Sequence, residues 1–525
     1  MTESMTEPMT EPMTATPNTQ PEVGLSGQTV TGSRPHDPRE RTAIRNVSVL
    51  LLLRGFILAG GVATATLVPR TMGPAIYGRY DLITMLTFWF TMLGGLGTAQ
   101  VVSRQAPQLE HEGAVDRLRA LFGNLLVLRT LTSVVVALLY LLATRLWLRD
   151  LAWPILLVLS IAVLLRGPAS LCYALFLGQG RIGRWALPEA VRQWGSVVFA
   201  LPCYLLGGLR GAVSGYLVTE TIIFLMGVVG ARRSISRSSL RIDLRAVAPH
   251  IRLGLVFYAA ELVASAFERS GAVLVRSATH DYAQVGLFGV SYQIYAAAML
   301  SSTQIATSFV PLITVLRAKG ESAELKIWIA RLVKWLAVLA MLGFLGSVIL
   351  GKDIVPMVLG RAYASVFRNV AVMSATLLFL PLTHVCSMLA LTHDRPRIMI
   401  QATAVRLLCF WPLGWLLVSR WGSLGACAAV FFATGAQTVV YLWKNRALIG
   451  TAFGRWAVVI GVGLAFAPLA YLRTSLVLNV VLYAAAAGGY LLVLRLLGTI
   501  SARELEALFK ALGLAKRQKA AEASP

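Results

Sequence analysis

Residues 67–86 read LVPRTMGPAIYGRYDLITML: two apolar runs around a hinge of Pro69, Arg70, Gly73, Pro74, Tyr77, Gly78, Arg79 and Tyr80. Proline lacks a backbone donor and clashes with the preceding turn, while glycine enters conformations closed to other residues, so one helix stops here and another begins at Tyr80. What surrounds those two helices is decided by the rest of the chain. Its 525 residues are 57% hydrophobic and only 14% charged, against about 25% charged in soluble domains. Apolar stretches of roughly twenty residues recur from Asn46 to the end of the 490s, each long enough to cross a ~30 Å hydrocarbon core as a helix. In lipid every backbone N–H and C=O must be paired within the segment, so such stretches are spanning helices. The chain reads as an all-α, polytopic membrane protein.

The expected spans are 46–68, 80–103, 120–144, 151–177, 185–206, 212–230, 253–275, 286–310, 328–350, 369–391, 398–419, 421–442, 456–472 and 474–494, about fourteen transmembrane helices. Short Gly, Pro and Arg segments such as GGLRG (207–211) and THDRPR (392–397) separate them. Lys and Arg set the direction. With the N-terminus cytoplasmic, 31 of the 48 basic residues fall on cytoplasmic segments and 11 on the opposite side, leaving six inside helices. Both termini are then cytoplasmic, and most of the +24 net charge is explained by topology and contact with anionic membrane lipids, without nucleic acid.

Other classes are excluded by what the residues do not form. The five cysteines sit in apolar helices with no CxxC or His pairing, which argues against a disulfide framework or a metal site. GQGRIG (178–183) matches the dinucleotide pattern only formally, because it joins two membrane helices rather than following a strand. No cofactor is expected. The first forty residues, with their TEPM repeat and many Thr, Pro and Glu, cannot bury a core; they read as a disordered tail or an upstream-assigned start, not a signal peptide.

Tyr77-Gly78-Arg79-Tyr80 has a counterpart in Val285-Gly286-Leu287-Phe288, Gly180-Arg181 in Asp394-Arg395, and Arg210-Gly211-Ala212 in Leu424-Gly425-Ala426. Thirty residues separate Arg181 from Gly211 and, equally, Arg395 from Gly425. The expected organisation is a tail (1–44), a six-helix bundle (45–230), a basic linker (231–252), a second six-helix bundle (253–446), a further transmembrane helix pair (447–497) and a basic tail (498–525). Six is even, so the bundles are related by a pseudo-two-fold axis along the membrane normal, with a central cavity between them.

The turn Arg70-Thr71-Met72-Gly73-Pro74-x-x-Tyr77-Gly78-x-Tyr80 is similar to the R-x-L-G-P-E-x-Y-G-x-Y hinge of bacterial polysaccharide-repeat flippases. These are the Wzx-like members of the multidrug/oligosaccharidyl-lipid/polysaccharide exporter superfamily. VLGRAYASVFRNVAVM (358–373) resembles that family's l-x-G-x-x-Y-x-x-a segment, and the resemblance runs over about residues 45–495. Met72 stands where the family usually has Leu, and Ala75 replaces its acid, so no role rests on an acid there. The resemblance implies a flippase, not an enzyme. It would move a polyprenyl-pyrophosphate-linked oligosaccharide across the bacterial inner membrane by alternating access, for O-antigen, capsule or exopolysaccharide synthesis. Polysaccharide polymerase and glycosyltransferases are the implied partners.

Charges inside the helices point to the site. An arginine at the bilayer centre costs roughly 2.5–3.5 kcal/mol on insertion scales and so faces a wet or paired interior. Arg192 and Arg406 lie near the cytoplasmic end, where snorkelling outward is open to them. Arg54, Arg129 and Arg166 lie deeper, on helices 1, 3 and 4. Tyr258, Glu261, Ser265, Glu268 and Arg269 share one face of helix 7, and helix 8 adds Tyr292 and Tyr295. One reading is a structural network pairing Glu261 or Glu268 with an arginine. The other is a substrate site, in which Arg54, Arg129 and Arg269, with Arg166 in support, fork onto a pyrophosphate. Tyr258, Tyr292 and Tyr295 are counted with them, and Glu261 and Glu268 are the candidates for ion coupling. A cation-coupled multidrug exporter would want acidic surplus, whereas six helix arginines face Glu189, Glu220, Glu261 and Glu268. A membrane glycosyltransferase or polymerase would want a large acidic outer loop; the longest here, 351–368, holds only Asp353.

Overall fold

A computed structural model of the chain describes residues 38–235, 270–392, 396–472 and 475–501, with the single positions 255, 258, 262, 265, 267 and 504. Residues 1–48 form one unit and residues 49–525 another; apart from the start of the first helix, all that follows lies in the second. Among the described residues every regular element is helical and none is a strand.

Helix α1 (Pro38–Leu93) is interrupted at Gly73 (φ 72°, ψ 165°), with Pro69 and Pro74 on either side. Arg54, Ile57 and Leu58 line the same cavity as Phe88, Thr91 and Met92, so the chain doubles back at Gly73. The second leg is helical from Pro74 rather than Tyr80, because proline is tolerated in a first turn, where its missing N–H would be unpaired anyway. That leg ends at Leu93. Leu96 (φ 46°) and Gly97 (φ 71°) turn the chain into α2 (Thr98–His111), bent by 57°, so the stretch expected as one helix over 80–103 is broken.

Then come α3 (Val115–Trp147), α4 (Trp153–Gly178) and α5 (Ile182–Gly195), which runs through a π turn at Ser196–Ala200 into α6 (Leu201–Ala231). Residues 270–279 form α7. They are followed by α8 (Tyr282–Ser308), α9 (Val310–Ala318), α10 (Ser322–Leu359), α11 (Val366–Thr376) and α12 (Leu380–Thr392). The chain closes with α13 (Pro396–Trp421), α14 (Ser423–Leu464) and α15 (Leu476–Leu496). Helix α4 packs on α2, α3, α5 and α6; α14 packs on α8 and α10 to α13.

Ten helices among the described residues are long and apolar enough to cross a membrane, or eleven if the bent pair at 53–111 counts as one span. The fourteen expected from hydropathy are not reproduced one for one. Gly73 and Gly207–Gly208 each turn the chain back inside one unbroken run of helical hydrogen bonding, so expected spans on either side of them count together, and most of the stretch 253–275 lies outside the described residues. Large apolar side chains nevertheless face outward, Leu206 being 90% exposed and Leu138 61%, as acyl chains rather than water demand. The molecule is a multi-pass membrane protein.

The paired glycines recur in the same geometry. Gly208 (φ 58°, ψ −144°) and Gly422 (φ 57°, ψ −132°) are 214 residues apart. Gly211 and Gly425 keep that offset, and a Cβ on either would strike the carbonyl eight residues upstream, that of Cys203 or of Leu417.

Candidate functional site

The site begins where α1 ends. The last carbonyls of a helix have no intrahelical partner and carry its negative dipole end. Arg129, on α3, donates from Nη2 to the Thr91 carbonyl at 2.8 Å and from Nε to the Gly167 carbonyl of α4 at 3.2 Å. The Tyr258 hydroxyl donates to the neighbouring Met92 carbonyl. Gly94 lets the guanidinium come close, since a Cβ there would stand 3.2 Å from Arg129 Nη1. Arg129 is 3% exposed, and its buried Nη1 has no hydrogen-bond partner.

Beside it lies a buried ionic triad. Glu220 on α6 has a fully buried side chain; its Oε1 accepts from Arg192 Nε on α5 at 3.1 Å and stands 3.5 Å from Arg166 Nη1 on α4. Arg166 also donates to the Tyr216 hydroxyl at 3.0 Å and lies over the Phe88 ring. Arg192 reaches Glu189 one turn earlier at 3.2 Å. Two guanidinium groups supply the counter-charge that a buried carboxylate requires.

These side chains share a cavity of about 840 Å³, lined by Arg54, Arg129, Arg166, Arg192, Glu189 and Tyr258, and on the α8 side by Leu300, Ser301 and Gln304. Arg54 donates to Gln304 across it. Among the described residues four arginines stand with two carboxylates, Glu189 and Glu220, so their balance is positive. The volume lies towards the upper end of the roughly 300–1,000 Å³ of small-molecule sites. Amides and hydroxyls from Gln100, Ser170, Ser301 and Gln304 alternate with the apolar faces of Phe88 and Trp185.

Of the residues singled out in the sequence, Arg54, Arg129, Arg166 and Tyr258 come together on this wall. Tyr292 and Tyr295 do not line it. They sit in the apolar core, where Phe288 stacks on Tyr292 and the Tyr295 ring lies tilted against that of Tyr292. Arg269, Glu261 and Glu268 lie outside the described residues. Arg192 does not snorkel outward; pairing with Glu220, 28 residues away on another helix, turns it into the cavity. Sequence reading missed that pair because the contact is tertiary; an acid in an apolar helix was its one available signal.

Helices of this multi-pass membrane protein thus enclose a chamber whose described lining is cationic. The chain matches the model of the polysaccharide biosynthesis protein family over residues 43–317, and it belongs to that family. Its fold is similar to that of the lipid II flippase MurJ in an inward closed conformation, with TM-score 0.66 and 12% identity over 89% of this chain and 99% of that one. An inward-facing multidrug resistance MATE family transporter of the MOP superfamily gives 0.58 and 15%, over 78% and 98%. A MOP superfamily transporter from Pyrococcus furiosus, noted for reverse polarity of its binding pocket, gives 0.50 and 16%, over 77% and 93%. No curated protein matches the chain in sequence.

Proposed function

We propose that the chain is a flippase that carries a polyprenyl-pyrophosphate-linked oligosaccharide across the bacterial inner membrane by alternating access. Both termini would be cytoplasmic, and the product would feed polysaccharide synthesis by glycosyltransferases and a polymerase. One observation carries the reading: Arg129 is buried in the cavity wall with Nη1 unpartnered. A buried guanidinium donor without a partner calls for an anionic ligand. Family membership supplies the polysaccharide context. Arg54 and Arg166 flank the same space, and the pyrophosphate would bridge them while the sugars meet the amides and hydroxyls. Arg269 remains a proposed fourth contact, and Glu261 and Glu268 remain proposed coupling groups. The positive surplus disfavours a cation-coupled drug exporter, whose cargo would be repelled.

The test uses vesicles loaded with a fluorescent lipid-linked oligosaccharide pyrophosphate. Arg129→Gln and Arg54→Ala, each inserted at wild-type level, are expected to lower transport, Arg129→Gln by about tenfold or more, the worth of one charged hydrogen bond. Unchanged transport in both variants would remove the pyrophosphate reading.

A further inference from the structure

The 214-residue offset that pairs Gly208 with Gly422 and Gly211 with Gly425 also pairs Arg192 on α5 with Arg406 on α13. In the first half Arg192 has a buried carboxylate, Glu220. At the same offset the second half has Thr434, fully buried, whose hydroxyl is spent on the Val430 carbonyl. The arginine is repeated; its counter-ion is not.

Nor is a replacement in place among the described residues. Nε and Nη2 of Arg406 are both buried and neither has a hydrogen-bond partner. The guanidinium lies face-on to Phe267, 3.5 Å from the ring centroid. A ring face balances part of the charge but leaves the in-plane N–H groups unmet. Those two atoms form the side edge of the guanidinium, the fork that takes two oxygens of one carboxylate or phosphate. Close by, His384 and Tyr441 lie within electrostatic reach, and His384 Nε2 is 3.2 Å from the Thr303 hydroxyl.

We propose that the Nε/Nη2 edge of Arg406 holds a carboxylate or phosphate oxyanion from outside the chain, in the role Glu220 has for Arg192. The site is separate from the central cavity and independent of what that cavity carries. Its ligand is a soluble oxyanion or the headgroup phosphate of an anionic lipid.

Two arms test this. In the first, wild-type crystals are soaked in selenate and diffraction is recorded at the selenium edge; a peak against Arg406 Nε and Nη2 is the expected result and identifies a soluble ion. A peak in the central cavity alone would speak for the cavity and not for this site. In the second, the protein is melted in nanodiscs of phosphatidylcholine, with and without phosphatidylglycerol, free of soluble oxyanions. If a headgroup is the ligand, phosphatidylglycerol raises the wild-type melting temperature, and Arg406→Gln needs at least about tenfold more of it for the same rise. No selenium peak at Arg406, together with equal lipid responses in wild type and Arg406→Gln, overturns the proposal. So does an Arg406→Gln variant that melts lower in both lipids, because that reports a carboxylate of the chain itself.

Discussion

Gly78 and Gly286 meet backbone to backbone, fixing the hinge-side end of the second α1 leg against the start of α8. A Cβ on Gly78 would overlap the Tyr282 carbonyl oxygen and come 2.7 Å from the Gly286 nitrogen; one on Gly286 would overlap the Pro74 carbonyl and come 3.1 Å from the Gly78 nitrogen. Backbone cannot rotate aside as a side chain can. Gly78→Ala and Gly286→Ala should each destabilise by about 1–3 kcal/mol or more, as overpacking does. The double variant should cost less than the sum, because both lose the same contact. Gly55→Ala, with nothing within 4 Å, is the control. Thermal melting of the purified variants decides it; an unchanged melting temperature for Gly78→Ala would refute the close crossing.

Arg129 ties three elements by donating to carbonyls on α1 and α4 from its place on α3. Lysine keeps the charge and three donors but carries them on one nitrogen, without the planar fork whose separate nitrogens span the Thr91 and Gly167 carbonyls. Arg129→Lys is expected to lose most of the transport lost in Arg129→Gln, while lowering the melting temperature less. Equal transport by Arg129→Lys and wild type would show that charge alone suffices.

The sequence makes the hinge legible because Gly73 and the two prolines act locally, on their own backbone. It makes Arg129 legible because lipid penalises an isolated charge so heavily. The break at Gly207–Gly208 falls inside the GGLRG separator, whereas the one at 94–97 is less legible: glycine permits a break, but neighbouring helices decide whether the helix continues. The spacing of Tyr292 and Tyr295 is silent for a related reason. Tyrosines at i and i+3 on a mostly apolar helix share a face, yet nothing in the spacing says whether that face meets a cavity or the core. The Arg192–Glu220 pair shows the limit most plainly, since only the packing of α5 on α6 brings the two together.

Glu220 is the shared counter-ion of two arginines, so its removal leaves both Arg166 and Arg192 without their buried partner. Breaking a buried pair from one side typically costs 3–5 kcal/mol. Glu220→Gln should lower the melting temperature sharply, and Arg192→Gln added to it should restore part of the loss. A double variant no more stable than Glu220→Gln would mean that Arg192 does not depend on Glu220.

Lys334 is 2% exposed on α10, and its Nζ is held by both oxygens of Glu504, at 2.8 and 2.9 Å, and by the Thr499 carbonyl at 3.1 Å. This ties the chain beyond α15 to α10. Burial pushes the Glu504 carboxyl upward, but the hydrogen bond from Lys334 and those from Ser501 outweigh it and hold the group below the usual carboxylate range. A carboxyl depressed in the folded state binds its proton less readily there than in the unfolded chain. Its contribution to stability is therefore complete above the unfolded value, about pH 4.3, and is lost as the pH falls through the lower folded value. The difference in melting temperature between wild type and Glu504→Gln should be constant from neutral pH to about pH 5 and shrink below about pH 4. A difference that persists unchanged at pH 3 would mean that the ionised carboxylate does not hold Lys334, and the tie would have to rest on Thr499 alone.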